Sequence, residues 1–148
     1  MVRPRNPVPP TRAELRILHA LWDLGAATID EIIHHRTFAA PPNYKTTQTL
    51  LRIMEEKGLA RHTSGSGRTF VFEPCVTQEW VGRLCVRNLL ESNFDGSPAK
   101  LLVNLLEAGR VKESELEELE ALIRNYRIQK RETPEATSRR GLRPGHSK

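Results

Sequence analysis

The sequence predicts a mainly α fold with one small β-hairpin, followed by a separate helical region. Three observations predict it. Apolar residues recur at helical spacing in three segments before residue 58 and three after residue 76. Between these blocks the period shortens to two, in Leu59–Thr63 and Arg68–Glu73, around the turn Ser64-Gly65-Ser66-Gly67. Helix starts carry capping residues: Thr11 with Glu14, Thr28 with Glu31, Asn43, Thr77, and the pair Ser97-Pro98.

Composition sets the outer limits. At 148 residues the chain holds one domain, or one small domain with an extension. Hydrophobic residues make up 38%, so part of the chain is expected to lack a core of its own. The formal charge of +5 favours an anionic partner. It is unevenly spread: residues 76–126 are acidic, whereas residues 1–75 and 127–148 are basic. The two cysteines, Cys75 and Cys85, form no CxxC pair, and no histidine stands at ligand spacing beside them, so no metal or other cofactor is expected. Reduced thiols in a cytoplasmic protein are the expectation. No apolar run reaches bilayer length, and MVRPRNPVPP has no apolar h-region, so neither membrane insertion nor a signal peptide is expected.

In chain order, residues 1–10 read as a disordered, proline-rich arm. The first helix starts at Thr11, carries Leu15, Leu18, Leu21 and Trp22 on its apolar stripe with Ile17 and Leu24 beside it, and stops at Gly25. The second is short, with Ile29, Ile32 and Ile33 inward; His34 and His35 close it as surface residues near a helix C-terminus. Pro41-Pro42 then forces a turn.

The third helix, Asn43–Gly58, has two chemically different faces. Leu50, Leu51 and Met54 face a core. Tyr44, Lys45, Thr47, Gln48 and Arg52 are placed outward, and no carboxylate occurs before Glu55. Hydroxyls, amides and cations reach phosphates and base edges, whereas carboxylates repel phosphate. The segment therefore reads as a recognition helix. Three helices and a hairpin within about 65 residues is the order of a winged helix-turn-helix, assigned to residues 11–75. The hairpin is the wing, basic at Arg61, His62 and Arg68; Arg68 is placed to reach a phosphate or a minor groove.

Residues 76–128 read as a helical dimerisation region. A helix begins at Thr77, and a second, from Pro98 to Gly109, is apolar on nearly all sides through Leu101, Leu102, Val103, Leu105 and Leu106. A third runs from about Lys112 to Ile128, where Leu116, Leu119, Ile123 and Tyr126 form a short heptad-like seam. Three such helices cannot bury this surface alone, and a symmetric partner is the economical solution. Residues 129–148 read as a basic disordered tail.

Four stretches, PTRAELRILHALWDLGAATIDEI, YKTTQTLLRIMEEKGLARH, RTFVFEPCVTQEW and GSPAKLLVNLLEAGRVKESELEELEALI, together resemble the penicillinase repressor family (the BlaI/MecI/CopY group) in order and spacing. The resemblance implies a winged-helix domain that represses transcription at a palindromic double-stranded operator, as a homodimer held by the C-terminal helices. It implies DNA contacts at Lys45, Thr46, Thr47, Thr49 and Arg52, with Tyr44 at the helix entry. The family often has a basic residue where this chain has Ile53. Its copper-responsive branch carries C-terminal Cys-x-Cys pairs, which are missing here. Some members are released from DNA when a membrane sensor protease pathway triggers cleavage in the dimerisation region, where this chain has Asn104-Leu105.

Two other functions are open to these residues. A winged domain can bind a protein instead of DNA, because fold does not fix function. An enzyme is not expected: the histidines, serines and cysteines fall in no motif that carries a mechanism.

Overall fold

The computed structural model describes residues 8–67 and 69–132. The elements are α1 (Arg12–Leu24), α2 (Ile29–Ile33), α3 (Tyr44–Glu56), β1 (Ala60–Ser64), β2 (Phe70–Pro74), α4 (Gln78–Asn93), α5 (Pro98–Glu107) and α6 (Glu113–Glu132). They fall into two units, divided after Ser97.

The first unit is built on the capped helices that the sequence predicts. The Thr11–Glu14 and Thr28–Glu31 capping boxes are both closed, and Asn43 and Thr77 accept from the Thr46 and Trp80 amides at 3.2 and 3.1 Å. Each cap satisfies amides that the first helical turn leaves without partners. The core gathers Ile17, Leu18 and Leu21 of α1, Ile29, Ile32 and Ile33 of α2, Leu51 and Met54 of α3, Leu59, Phe72, Val76 and Val81. Leu24 stays exposed at the end of α1.

Helix α3 ends in a Schellman arrangement. The Leu59 amide donates to Met54 O at 2.8 Å and the Gly58 amide to Glu55 O at 3.0 Å. This closure puts Gly58 at φ 78°, where glycine has no steric cost. Leu59, expected to open the first strand, is used instead as the buried residue that follows the cap, so β1 starts at Ala60. The strands pair antiparallel, with His62 opposite Phe72 and Ser64 opposite Phe70. Ala27, between α1 and α2, adds a further rung: its amide donates to Phe72 O at 2.9 Å, and the Phe72 amide donates back to Ala27 O at 2.8 Å. A single residue has no period, which is why patterning does not show it.

The division after Ser97 replaces the boundary expected at Cys75. Helix α4 stays with the winged unit because Val76, Val81 and Leu84 are buried there, and Trp22 Nε1 donates to Val76 O at 2.8 Å.

In the second unit, α5 and α6 contain no buried residue. Leu102, Val103, Leu105, Leu106, Leu122, Ile123, Tyr126 and Ile128 are all exposed. Helix α6 runs to Glu132, four residues past the expected end, so residues 129–132 are not part of a disordered tail. Gln129, Lys130 and Arg131 are good helix formers, the two cations suit the negative end of the helix dipole, and Lys130 Nζ lies 5.8 Å from the Tyr126 ring centroid. The remainder of the expected tail, and residues 1–7 of the expected arm, lie outside the described residues; Pro10, assigned to that arm, is buried.

Candidate nucleic-acid interface

The outer face of α3 is set by helical geometry. Lys45, Gln48, Thr49 and Arg52 are all exposed and stand at i, i+3, i+4 and i+7, so they form one stripe. At 1.5 Å per residue the stripe is about 10 Å long, roughly three stacked base pairs. Thr46 is exposed beside it, and Tyr44, half exposed, stands at the helix entry. The first turn holds no carboxylate, so the positive end of the helix dipole is uncompensated at the end nearest Lys45. Ile53 is exposed near the other end.

Thr47 departs from expectation. Its side chain is buried, and its hydroxyl donates to Asn43 O at 3.0 Å. Thr47, Leu51 and Met54 stand at i, i+4 and i+7, so Thr47 belongs to the inner stripe, and its local hydrogen bond satisfies the hydroxyl there. Thr49 makes the equivalent bond to Lys45 O at 3.0 Å from an exposed position. Arg68 lies outside the described residues.

Several charges that the sequence places on the surface or the wing are paired. Arg61 is tied to Glu73, directly across the hairpin. His62 Nδ1 bonds Glu55 of α3, and its ring lies against Phe70 and Phe72, with centroids 4.7 and 5.7 Å apart. The wing is thus fastened to the last turn of α3. His35, expected on the surface, has a side chain only 9% exposed. Its Nε2 lies 2.7 Å from Asp23 Oδ2, while its Nδ1 accepts from the Thr37 amide at 3.2 Å. The hydrogen bond between His35 Nε2 and Asp23, with the Arg36 guanidinium nearby, holds the Asp23 carboxyl below its ordinary range. The Asp23–His35 pair pins the turn between α2 and α3 to the end of α1. No spacing rule connects residues on different elements, so these pairs were not readable from the sequence.

Glu14 is buried, and Lys57 Nζ meets its Oε1 at 2.7 Å. Burial opposes the charge on Glu14, but hydrogen bonds from Lys57 and from Thr11 outweigh it, and the carboxyl sits below its ordinary range. Because the folded carboxyl titrates below its unfolded value, this stabilisation is complete above about pH 4.5 and is lost as the pH falls through the folded value. Glu14→Gln, which keeps a capping side chain at that position, is expected to cost about 1–2 kcal/mol at pH 7. In thermal melts the deficit against the wild type should shrink as the pH falls below about 4.5. A deficit that stays constant to pH 3 would show that the charge contributes nothing.

Burial pushes the Cys75 thiol up, away from the reactive thiolate. Among the described residues no group of three His, Cys, Asp or Glu side chains is placed to hold a metal ion, and no helix is long and apolar enough to cross a membrane.

A helix-turn-helix with a hairpin wing, presenting hydroxyl, amide and cationic side chains from its third helix, defines a winged-helix DNA-binding protein. The chain belongs to the penicillinase repressor family, whose model matches residues 10–125. It is therefore a winged-helix transcriptional repressor and not an enzyme. It is 24% identical over 120 residues to the penicillinase repressor of Bacillus licheniformis, a match covering 81% of this chain and 93% of that one. Among solved structures it is similar to the DNA-binding domain of the repressor BlaI (27% identity, 49% of this chain and 89% of that one, TM-score 0.42). It is also similar to a MarR family transcriptional regulator from Silicibacter pomeroyi (19% identity, 84% and 73% covered, TM-score 0.39).

Proposed function

We propose that the chain represses transcription as a homodimer on a palindromic operator, with α3 of each protomer entering a major groove at half-sites about one turn apart or slightly more. The observation that carries this reading is the exposed stripe of Lys45, Gln48, Thr49 and Arg52, flanked by Tyr44 and Thr46, on a helix whose first turn lacks carboxylates. Gln48 and the threonines read base edges; Lys45 and Arg52 set register on phosphates. Thr47, being buried, has no part in this. Pairing of two copies is supported by α5 and α6, neither of which buries a residue within one chain. Leu101, Leu105, Leu116, Leu119, Ile123 and Tyr126 make the seam. Release by regulated proteolysis at Asn104-Leu105, under a membrane sensor protease pathway, is consistent with the exposure of both residues on α5.

The test is to recover duplexes from a random pool with the purified protein and titrate the recovered sequence, by fluorescence anisotropy, against an unrelated duplex of equal length. Specific repression predicts a preference of at least about 10³-fold for the recovered sequence. Equal affinity for both would reject it.

Lys45→Ala and Arg52→Ala should each weaken binding without lowering the melting temperature, since both side chains are exposed. In a dimer each substitution removes two phosphate contacts, so the slope of log K against log salt should become shallower by about 1.8. An unchanged slope would place these cations off the phosphates.

A further inference from the structure

We propose that Glu14 and Lys57 are positioning residues for the DNA-reading helix, a role that rests on the reading of α3 given above. Lys57 is the C-cap of α3, and Glu14 lies in the first turn of α1. The Glu14 side chain is 2% exposed, and its Oε1 accepts both from Lys57 Nζ at 2.7 Å and from the Thr11 amide at 3.3 Å. Its Oε2 is buried with no hydrogen-bond partner among the described residues. One carboxylate oxygen thus closes the cap of α1 and holds the end of α3 together. A carboxylate buried in this way depends on its counter-charge, because removing the lysine leaves a charge in the interior without compensation.

The pair supplies something that apolar packing does not. Thr47, Leu51 and Met54 hold α3 by its inner face. Such packing resists withdrawal of the helix, but the hydrophobic driving force behind it is non-directional. A charge-assisted hydrogen bond is short and directional. Two such ties leave the end of α3: Lys57 runs to α1, and Glu55 runs to His62 of the wing. With its C-terminal end held from two sides, the helix has a fixed tilt. That tilt decides which base edges Thr46, Gln48 and Thr49 meet. Loosening it blurs discrimination between sequences while leaving the exposed cations, and so the general attraction to DNA, in place.

The experiment uses the full chain with Glu14→Gln, Lys57→Met and the double substitution, at a temperature where circular dichroism shows each to be folded. Affinity is measured for the duplex recovered by the wild type and for an unrelated duplex of equal length. Each single variant should lose about tenfold on the recovered duplex, roughly the effect of one mismatched base pair, with unchanged affinity for the unrelated one. The double variant should be no worse than either single. Native-state hydrogen exchange should speed up at α3 amides and not at α4 amides. If Lys57→Met alone weakens both duplexes and flattens the salt dependence, Lys57 is a phosphate contact and the proposal is wrong. Retained discrimination in both single variants also overturns it. Should the wild type recover no preferred duplex, the reading of α3 itself fails, and exchange decides the positioning role: selective acceleration at α3 in both single variants supports it, and unchanged α3 exchange overturns it.

Discussion

Replacing Leu119 and Ile123 together by glutamate is expected to convert the protein to monomers in sedimentation velocity and to weaken operator binding by about 10²–10⁴-fold. The reasoning is one of linked binding. A dimer that has engaged one half-site holds its second recognition helix at a high effective concentration beside the other half-site, and that advantage disappears when the pairing is lost. Both residues lie on α6, which buries nothing within one chain, so charge there should not damage the fold of the monomer. At a symmetric interface each substitution also appears twice, placing four new carboxylates in an apolar seam already flanked by Glu115 and Glu120. Far-UV circular dichroism should stay close to that of the wild type. A doubly substituted protein that still sediments as a dimer would move the interface away from this seam. A monomer with full operator affinity would show that pairing is not needed for binding.

Leu51→Ala is expected to have the largest effect on stability, about 3 kcal/mol. Leu51 is fully buried on the inner face of α3, within the cluster that joins α1, α2 and β2. Truncation there removes apolar contact and leaves a cavity that the surrounding helices cannot close without shifting. For a unit of this size the melting temperature should drop by more than about 10 °C. Arg52→Ala, one residue further on, should leave melting unchanged and act on DNA binding instead. The two neighbours therefore make a direct test of the two-faced helix. Equal melting temperatures for Leu51→Ala and the wild type would mean that α3 is not anchored by this face.

Much of this architecture was legible in the sequence because it rests on local rules. Capping pairs three residues apart, glycines after apolar stripes and the change of period at Gly58 act within a few residues, and they place the elements of the winged unit to within one or two positions. Thr47 was misplaced although its spacing to Leu51 and Met54 is helical: a hydroxyl suggests exposure, but a threonine inside a helix can donate to the carbonyl four residues back and so be buried at little cost. The end of α6 was set too early because the polarity of residues 129–132 outweighed their helix propensity. What the sequence could not show are contacts across long separations. Glu14 with Lys57, Asp23 with His35, Glu55 with His62 and Ala27 with Phe72 all arise when elements pack, and neither period nor spacing encodes them. The stripe on α3 was mostly visible because it lies on one element. The ties that orient that stripe were not.

The reciprocal amide bonds between Ala27 and Phe72 carry a practical consequence. They make the hairpin a woven part of the body of the domain. An engineer who transplants a foreign wing onto this scaffold, hoping to change its sequence preference, must carry over a residue that meets Ala27 edge to edge. A graft spliced only at the strand ends would leave two main-chain groups stranded in a dry interior, and the chimera would be expected to melt early however well its new tip suited the DNA.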